Sequence, residues 1–147
     1  DGVQFKTLTA AAGLPHDWVR PILEDRKGDF WIGTHGGGLC RYDGKEFEIF
    51  TAADGLAGNA VGSLLEDRQG RMWVGTWEGV SRYDGQGFET FTTKDGLQVT
   101  VVRALVEARQ GLRVGNRGQD CDYAEEPCGS RECEKKGNAG KAKQNDF

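Results

Sequence analysis

The sequence is poor in the residues and motifs that carry most enzyme chemistry. Its 147 residues include only two histidines, His16 and His35, with three prolines and one methionine. It has no Gly-x-Ser-x-Gly elbow, phosphate-binding glycine loop or His-Glu-x-x-His pair. Their absence removes the common signatures of serine hydrolases, P-loop enzymes and zinc proteases. No apolar run approaches the ~18 residues of a membrane span. The formal charge is −4, and the longest cationic cluster is Lys135-Lys136. A nucleic-acid binder carries a basic stripe, so that class of partner is set aside. No signal-peptide pattern is visible.

What the chain has in excess is glycine. Its 23 glycines are roughly twice the ~7% of average usage. With few prolines and no Gly-X-Y period, that excess points to many tight turns between short strands. A repeat explains it. Gly13-Leu14 recurs as Gly55-Leu56 and Gly96-Leu97, at steps of 42 and 41 residues. Leu23-Glu24-Asp25-Arg26-Lys27-Gly28 matches Leu65-Glu66-Asp67-Arg68-Gln69-Gly70. Phe30-Trp31-Ile32-Gly33-Thr34 matches Met72-Trp73-Val74-Gly75-Thr76. Arg41-Tyr42-Asp43-Gly44 and Phe47-x-x-Phe50-Thr51 return as Arg82-Tyr83-Asp84-Gly85 and Phe88-x-x-Phe91-Thr92. The one length difference sets His35-Gly36-Gly37-Gly38 against Trp77-Glu78-Gly79, in a loop, where insertions are cheap.

Each repeat reads as four short strands. They are predicted at 19–24, 30–34, 39–43 and 47–51, and again at 61–66, 72–76, 80–84 and 88–92. These segments are rich in the β-branched and aromatic residues that suit a pleated, half-buried surface. Asp43-Gly44 and Asp84-Gly85 are hairpin signals, and Asp25 to Gly28 and Asp67 to Gly70 turn by similar means. Four antiparallel strands per ~40–45 residues is the pattern of a propeller blade. The fold class is therefore all-β, a partial β-propeller of four-stranded antiparallel blades.

The predicted organisation is an outer strand of a preceding blade at 1–12, full blades at 13–54 and 55–95, and a degenerate third at 96–118. A low-aliphatic tail, 119–147, is expected to be disordered. Beginning inside a repeat, the sequence reads as a fragment or a processed product. Trp31, Trp73, Tyr42, Tyr83, Phe47 and Phe88 recur at repeat spacing and are assigned to the core, with the two tryptophans filling the gaps between blades. In the third copy Arg113 stands at the tryptophan position, so that copy is expected to be loose. Cys40 reads as a small buried hydrophobe. Cys121, Cys128 and Cys133 have no nearby histidine and lack the tight pairs of a zinc site. No metal or other cofactor is expected, and pairing among these cysteines stays open.

Residues that recur between copies serve the blade, so a ligand would meet residues that differ. His16, Asp17 and Trp18 become Gly58, Asn59 and Ala60, and His35 becomes Trp77, followed by Glu78. These six, His16, Asp17, Trp18, His35, Trp77 and Glu78, are the candidate ligand residues. Trp18 and Trp77 offer rings on which a sugar or another flat ligand can stack. The alternative is that they cover neighbouring blades.

The run from Gly13-Leu14 to Thr34, and its copy from Gly55-Leu56 to Thr76, resembles the two-component regulator propeller repeat. The Arg-Tyr-Asp-Gly and Phe-x-x-Phe-Thr elements agree with it. That resemblance implies the extracytoplasmic sensor region of a hybrid histidine kinase, often tied to carbohydrate, with no catalysis of its own. Further blades would come from a longer parent chain or from self-association. Two alternatives stand beside it: a lectin-like module in which several chains pool their blades, and a propeller lyase.

Overall fold

The computed structural model describes residues 4–5, 7–97, 101–109, 111–116 and 119–123. These form eleven strands in three antiparallel sheets. The first sheet runs in the order β1 (Val19–Glu24), β2 (Phe30–Thr34), β3 (Leu39–Tyr42), β4 (Phe47–Phe50). The second repeats it with β5 (Val61–Glu66), β6 (Met72–Thr76), β7 (Val80–Tyr83) and β8 (Phe88–Phe91). The third has β9 (Ala104–Ala108), β10 (Gly111–Asn116) and β11 (Gln119–Tyr123). The first eight strands match the sequence reading to within one residue at each end. No helix among the described residues is long and apolar enough to cross a membrane.

Two expectations at the ends differ from the structure. The outer strand expected within 1–12 is not formed in its described part: residues 4–5 and 7–9 take no strand, and Ala10–Ala12 make a 3-10 turn. No described strand lies alongside to accept its ladder bonds. The tail expected to lack structure from 119 begins with β11, which pairs β10 from Leu112↔Tyr123 to Asn116↔Gln119. Ladder hydrogen bonds come from the backbone, so a strand can form there without aliphatic side chains. Residues 124–147, with Cys128 and Cys133, lie outside the described residues.

The core sits between sheets. Trp31, Leu39 and Phe50 of the first sheet pack against Leu56, Val61, Met72 and Val74 of the second repeat, with Tyr83 and Phe88 at the margin. One repeat on, Trp73 and Val80 pack against Leu97, Val102, Leu112 and Val114. Glycine makes the close approach possible. A Cβ on Gly33 would lie 2.5 Å from Val61 Cγ1, and one on Gly75 would lie 2.6 Å from Val102 Cγ1. Each sheet therefore seats the first valine of the next against a bare backbone. Cys40 is fully buried in β3, and burial pushes its thiol up to about 11.

Each tryptophan is held on several sides. The Trp31 indole donates to Asp25 Oδ2 at 2.9 Å, and the Trp73 indole to Asp67 Oδ2 at 2.8 Å. Arg41 lies over the Trp31 ring at 5.6 Å and Arg82 over the Trp73 ring at 5.5 Å. Trp31 pairs in register with Leu23, Trp73 with Leu65, and Arg113 with Val106. Arg113 thus takes the tryptophan register in the third sheet. Ala108 takes the position of the aspartate, so the third copy has lost both halves of the lock.

A second contact crosses between sheets at the turns. Arg26 reaches Glu66 (Nε to Oε1, 2.9 Å) and donates to the carbonyls of Arg68 and Asp67, each at 2.9 Å. Arg68 repeats the reach to Glu107, at 3.7 Å. The arginine after each turn aspartate therefore binds the glutamate that closes the first strand of the next sheet.

Candidate functional site

Antiparallel order sorts the loops into two sets. Connections from first to second strand and from third to fourth lie at one end of the sheets. Connections from second to third strand, and from one sheet to the next, lie at the other. His16, Asp17, Trp18, His35, Trp77 and Glu78 all fall in the second set.

Three of the six are brought into one aromatic row. The Trp18 and His35 rings are 4.7 Å apart at 43°, and the His35 and Trp77 rings 4.6 Å apart at 71°. The backbone fixes this row. His35 N–H donates to Trp18 O at 2.9 Å, and Trp77 N–H donates to Ala60 O at 3.1 Å. His35 also bridges Ala60. The extra glycine in this loop lets Gly36 and Gly38 both donate to Asn59 O, at 3.0 and 2.9 Å, tying the first sheet to the second. Trp18 is 56% exposed, while Trp77 and His35 are half-buried. His35 Nδ1 is buried and has no hydrogen-bond partner.

The other three candidates are placed differently. Asp17 Oδ1 accepts from Ala10 N–H at 2.6 Å, as Asn59 Oδ1 accepts from Ala52 N–H at 2.8 Å. Both residues cap the 3-10 turn that opens a repeat, so the change from Asp17 to Asn59 keeps one structural role. His16 Nδ1 accepts from Trp18 N–H at 2.9 Å and sets the approach to the tryptophan. The Glu78 carboxylate lies against the bare backbone of Gly58, next to Trp77 and exposed. Sequence reasoning missed Arg20, whose guanidinium lies over the Trp18 ring at 5.6 Å. The available signal was its exchange for Gly62 in the second copy.

The opposite end holds a cleft of about 190 Å³ between the first two sheets, bordered by Asp25, Arg26, Lys27, Trp31, Tyr83 and Asp84. Ligand pockets usually measure about 300–1,000 Å³. Asp25 and Arg26 are spent on Trp31 and Glu66, and Arg41, also at the cleft, on Asp29. The aromatic row is the better candidate. Among the described residues no group of three or more His, Cys, Asp or Glu could hold a metal ion.

The family model described as two component regulator propeller matches residues 13–36 and 55–78. Each full blade thus contains one segment similar to that repeat. Solved structures agree in fold. The extracellular domain assigned to the hybrid two component system BT3049 of B. thetaiotaomicron superposes with a TM-score of 0.69 at 25% identity. That match covers 82% of this chain and 19% of the other. The corresponding domain of BT4673, from the same organism, gives 0.66 at 16% identity, over 86% of this chain and 18% of the other. The chain therefore spans about a fifth of the length of these structures and corresponds to part of a larger propeller. No curated protein matches it significantly.

Proposed function

We propose that this chain is part of an extracytoplasmic, ligand-sensing propeller of a two-component signalling protein, and that the row Trp18–His35–Trp77 is where the ligand rests. The observation that carries the reading is the row itself. The residues that break the repeat gather at one end of the sheets, with an exposed indole face and a buried imidazole nitrogen lacking a partner. Flat ligands gain from stacking on indole, and an unpaired buried nitrogen gains from a hydroxyl that pairs with it. A saccharide ring offers both a flat C–H face and hydroxyls. Glu78 and Arg20 flank the row as polar groups that can select among hydroxylated ligands. In this reading the blades carry no catalysis, and the ligand acts by binding.

Intrinsic tryptophan fluorescence titrated with a panel of oligosaccharides tests the proposal. A saturable change is expected that Trp18→Ala and His35→Ala each weaken about tenfold or more, while Lys94→Ala on another loop leaves it unchanged. Saccharide binding that survives both substitutions would place the site elsewhere. No binding across the panel would refute the ligand class.

A further inference from the structure

The segments that lead into the two four-stranded sheets are near-copies. Thr9-Ala10-Ala11-Ala12-Gly13-Leu14 returns as Thr51-Ala52-Ala53-Asp54-Gly55-Leu56. Each makes a 3-10 turn ended by a positive-φ glycine and then buries its leucine, Leu14 at 5% and Leu56 at 3% exposure. Up to the leucine, little distinguishes the sheet on which either segment fits. Misassembly and exchange of like elements are characteristic failures of repeat proteins.

The residues after the leucine do distinguish them. In the second copy a run of hydrogen bonds leaves the segment, crosses the sheet and returns. Ala57 N–H donates to Ser81 Oγ at 2.8 Å, Ser81 Oγ lies 2.9 Å from Thr90 Oγ1, and the Thr90 hydroxyl donates to the Gly55 carbonyl. The Thr90 proton is thus spent on Gly55, so Ser81 is the donor to Thr90. Ser81 is fully buried. In the first copy Pro15 stands for Ala57 and has no N–H to give, while Cys40 and Ile49 stand for Ser81 and Thr90. Bulk is exchanged in the same way. A Cβ on Gly58 would lie 1.4 Å from Glu78 Oε2. Its counterpart His16 carries a side chain, and there the sheet is bare: a Cβ on Gly37 would lie 2.9 Å from His16 Cβ and 2.6 Å from Pro15 O. One copy has bulk on the segment and glycine on the sheet, and the other has the reverse.

We propose that these matched pairs form a key that holds each leading segment to its own sheet. On the second sheet, the first segment would drive His16 into Glu78 and the Pro15 ring against Ser81. On the first sheet, the second segment would leave the Ala57 N–H without its hydroxyl acceptor. The key therefore keeps near-identical copies from exchanging segments, within a chain or between chains. It does not depend on a ligand.

Urea unfolding of the full chain, followed by circular dichroism, tests the pairs. Ser81→Cys and Ala57→Pro are each expected to raise the unfolding equilibrium constant about tenfold, since each leaves one partner of a buried hydrogen bond unmatched. Together they are expected to recover most of the loss, because proline needs no acceptor. Proline's effect on the unfolded chain is present in both backgrounds and cancels in the double-mutant cycle. Gly58→His is expected to destabilise or prevent folding, and Glu78→Gly in the same chain to restore it. The chain with all four substitutions carries the first copy's key twice. Refolded at rising concentration, it is expected to give segment-exchanged oligomers on size exclusion, beyond any that wild type forms, and to lose them on refolding at high dilution. Additive losses in either pair would overturn the key. A four-substituted chain that refolds as cleanly as wild type would overturn its part in keeping the copies from exchanging.

Discussion

Asp67→Ala is expected to be the most damaging removal of a surface-type residue in this chain. Asp67 is an aspartate in a turn, yet it is only 2% exposed. Its Oδ1 accepts from the backbone of Gln69 and Arg71, each at 2.9 Å. Its Oδ2 accepts from Arg71 Nε at 2.9 Å and from the Trp73 indole at 2.8 Å. Alanine leaves the indole N–H of a tryptophan that is 1% exposed without its acceptor. An orphaned buried donor costs about 1–3 kcal/mol, and hydrogen bonds to a charged group are worth about 1.5–3 kcal/mol each without adding fully. A net loss of about 3 kcal/mol is expected, which would lower Tm by about 10 °C for a domain of this size. Asp25→Ala should cost less, about 2 kcal/mol, because Asp25 is half-buried and holds the Trp31 indole and two backbone N–H groups but no arginine. Asp84→Ala is the control: among the described residues its exposed carboxylate accepts from the Gln86 and Gly87 backbone, and its loss should be the smallest of the three. Urea unfolding followed by circular dichroism ranks the three. Equal losses for Asp67 and Asp84, or a loss below about 1 kcal/mol at Asp67, would refute the claim that the indole is locked by its aspartate.

The same lock sets an acid limit. Burial alone would raise the Asp67 pKa, but the Trp73 indole, the Arg71 backbone and the Arg71 guanidinium together hold it below the usual carboxylate value. A lowered folded pKa gives stability that is present above the unfolded value near ~3.9 and lost as pH falls through the folded one. Asp67→Asn should therefore flatten the acid limb of stability against pH, seen as a smaller drop in urea midpoint between neutral pH and the unfolding region. Trp73→Ala removes a fully buried ring from the junction of the second and third sheets, and a loss of about 3–5 kcal/mol is expected by chemical denaturation. Gly75→Ala drives a methyl into Val102 and Ser63. It should cost about 1–3 kcal/mol, part of which Val102→Ala recovers in the double variant.

The strands were legible because each is written twice. A single copy of Phe30-Trp31-Ile32-Gly33-Thr34 is an ambiguous apolar run. Its alignment with Met72-Trp73-Val74-Gly75-Thr76, bounded by Asp-Gly turns, leaves one reading of strand and register. Residues 119–123 have no such second copy, and Asp1 to Thr9, which repeats Asp43 to Thr51, has no described sheet beside it. There the decision falls to whether a neighbouring strand exists to accept hydrogen bonds. Composition does not encode that, so Gln119–Tyr123 pairs despite lacking aliphatic residues and the described residues before Ala10 do not.

At the candidate site the comparison of copies worked where side chains diverge and misled where a divergence preserves chemistry. Trp18, His35 and Trp77 stood out by differing, and antiparallel order alone puts their loops at one end of the sheets. Asp17 stood out for the same reason, yet Asp17 and Asn59 are two answers to one requirement, an acceptor for the first N–H of a 3-10 turn. The opposite error applied to Asp25 and Asp67. Their recurrence read as turn chemistry, which is half of their role; the other oxygen of each carboxylate holds an indole six residues on. That pairing has a signature in the sequence, an aspartate and a tryptophan at fixed spacing that disappear together at Ala108 and Arg113. Joint loss is informative because a buried indole without its acceptor, or a buried carboxylate without its donors, is worse than neither. The third sheet keeps its valine and leucine packing on the second, through Val102, Leu112 and Val114. It has lost the tryptophan with which the other two grip the next, so the weakness of the third copy lies on its outgoing face.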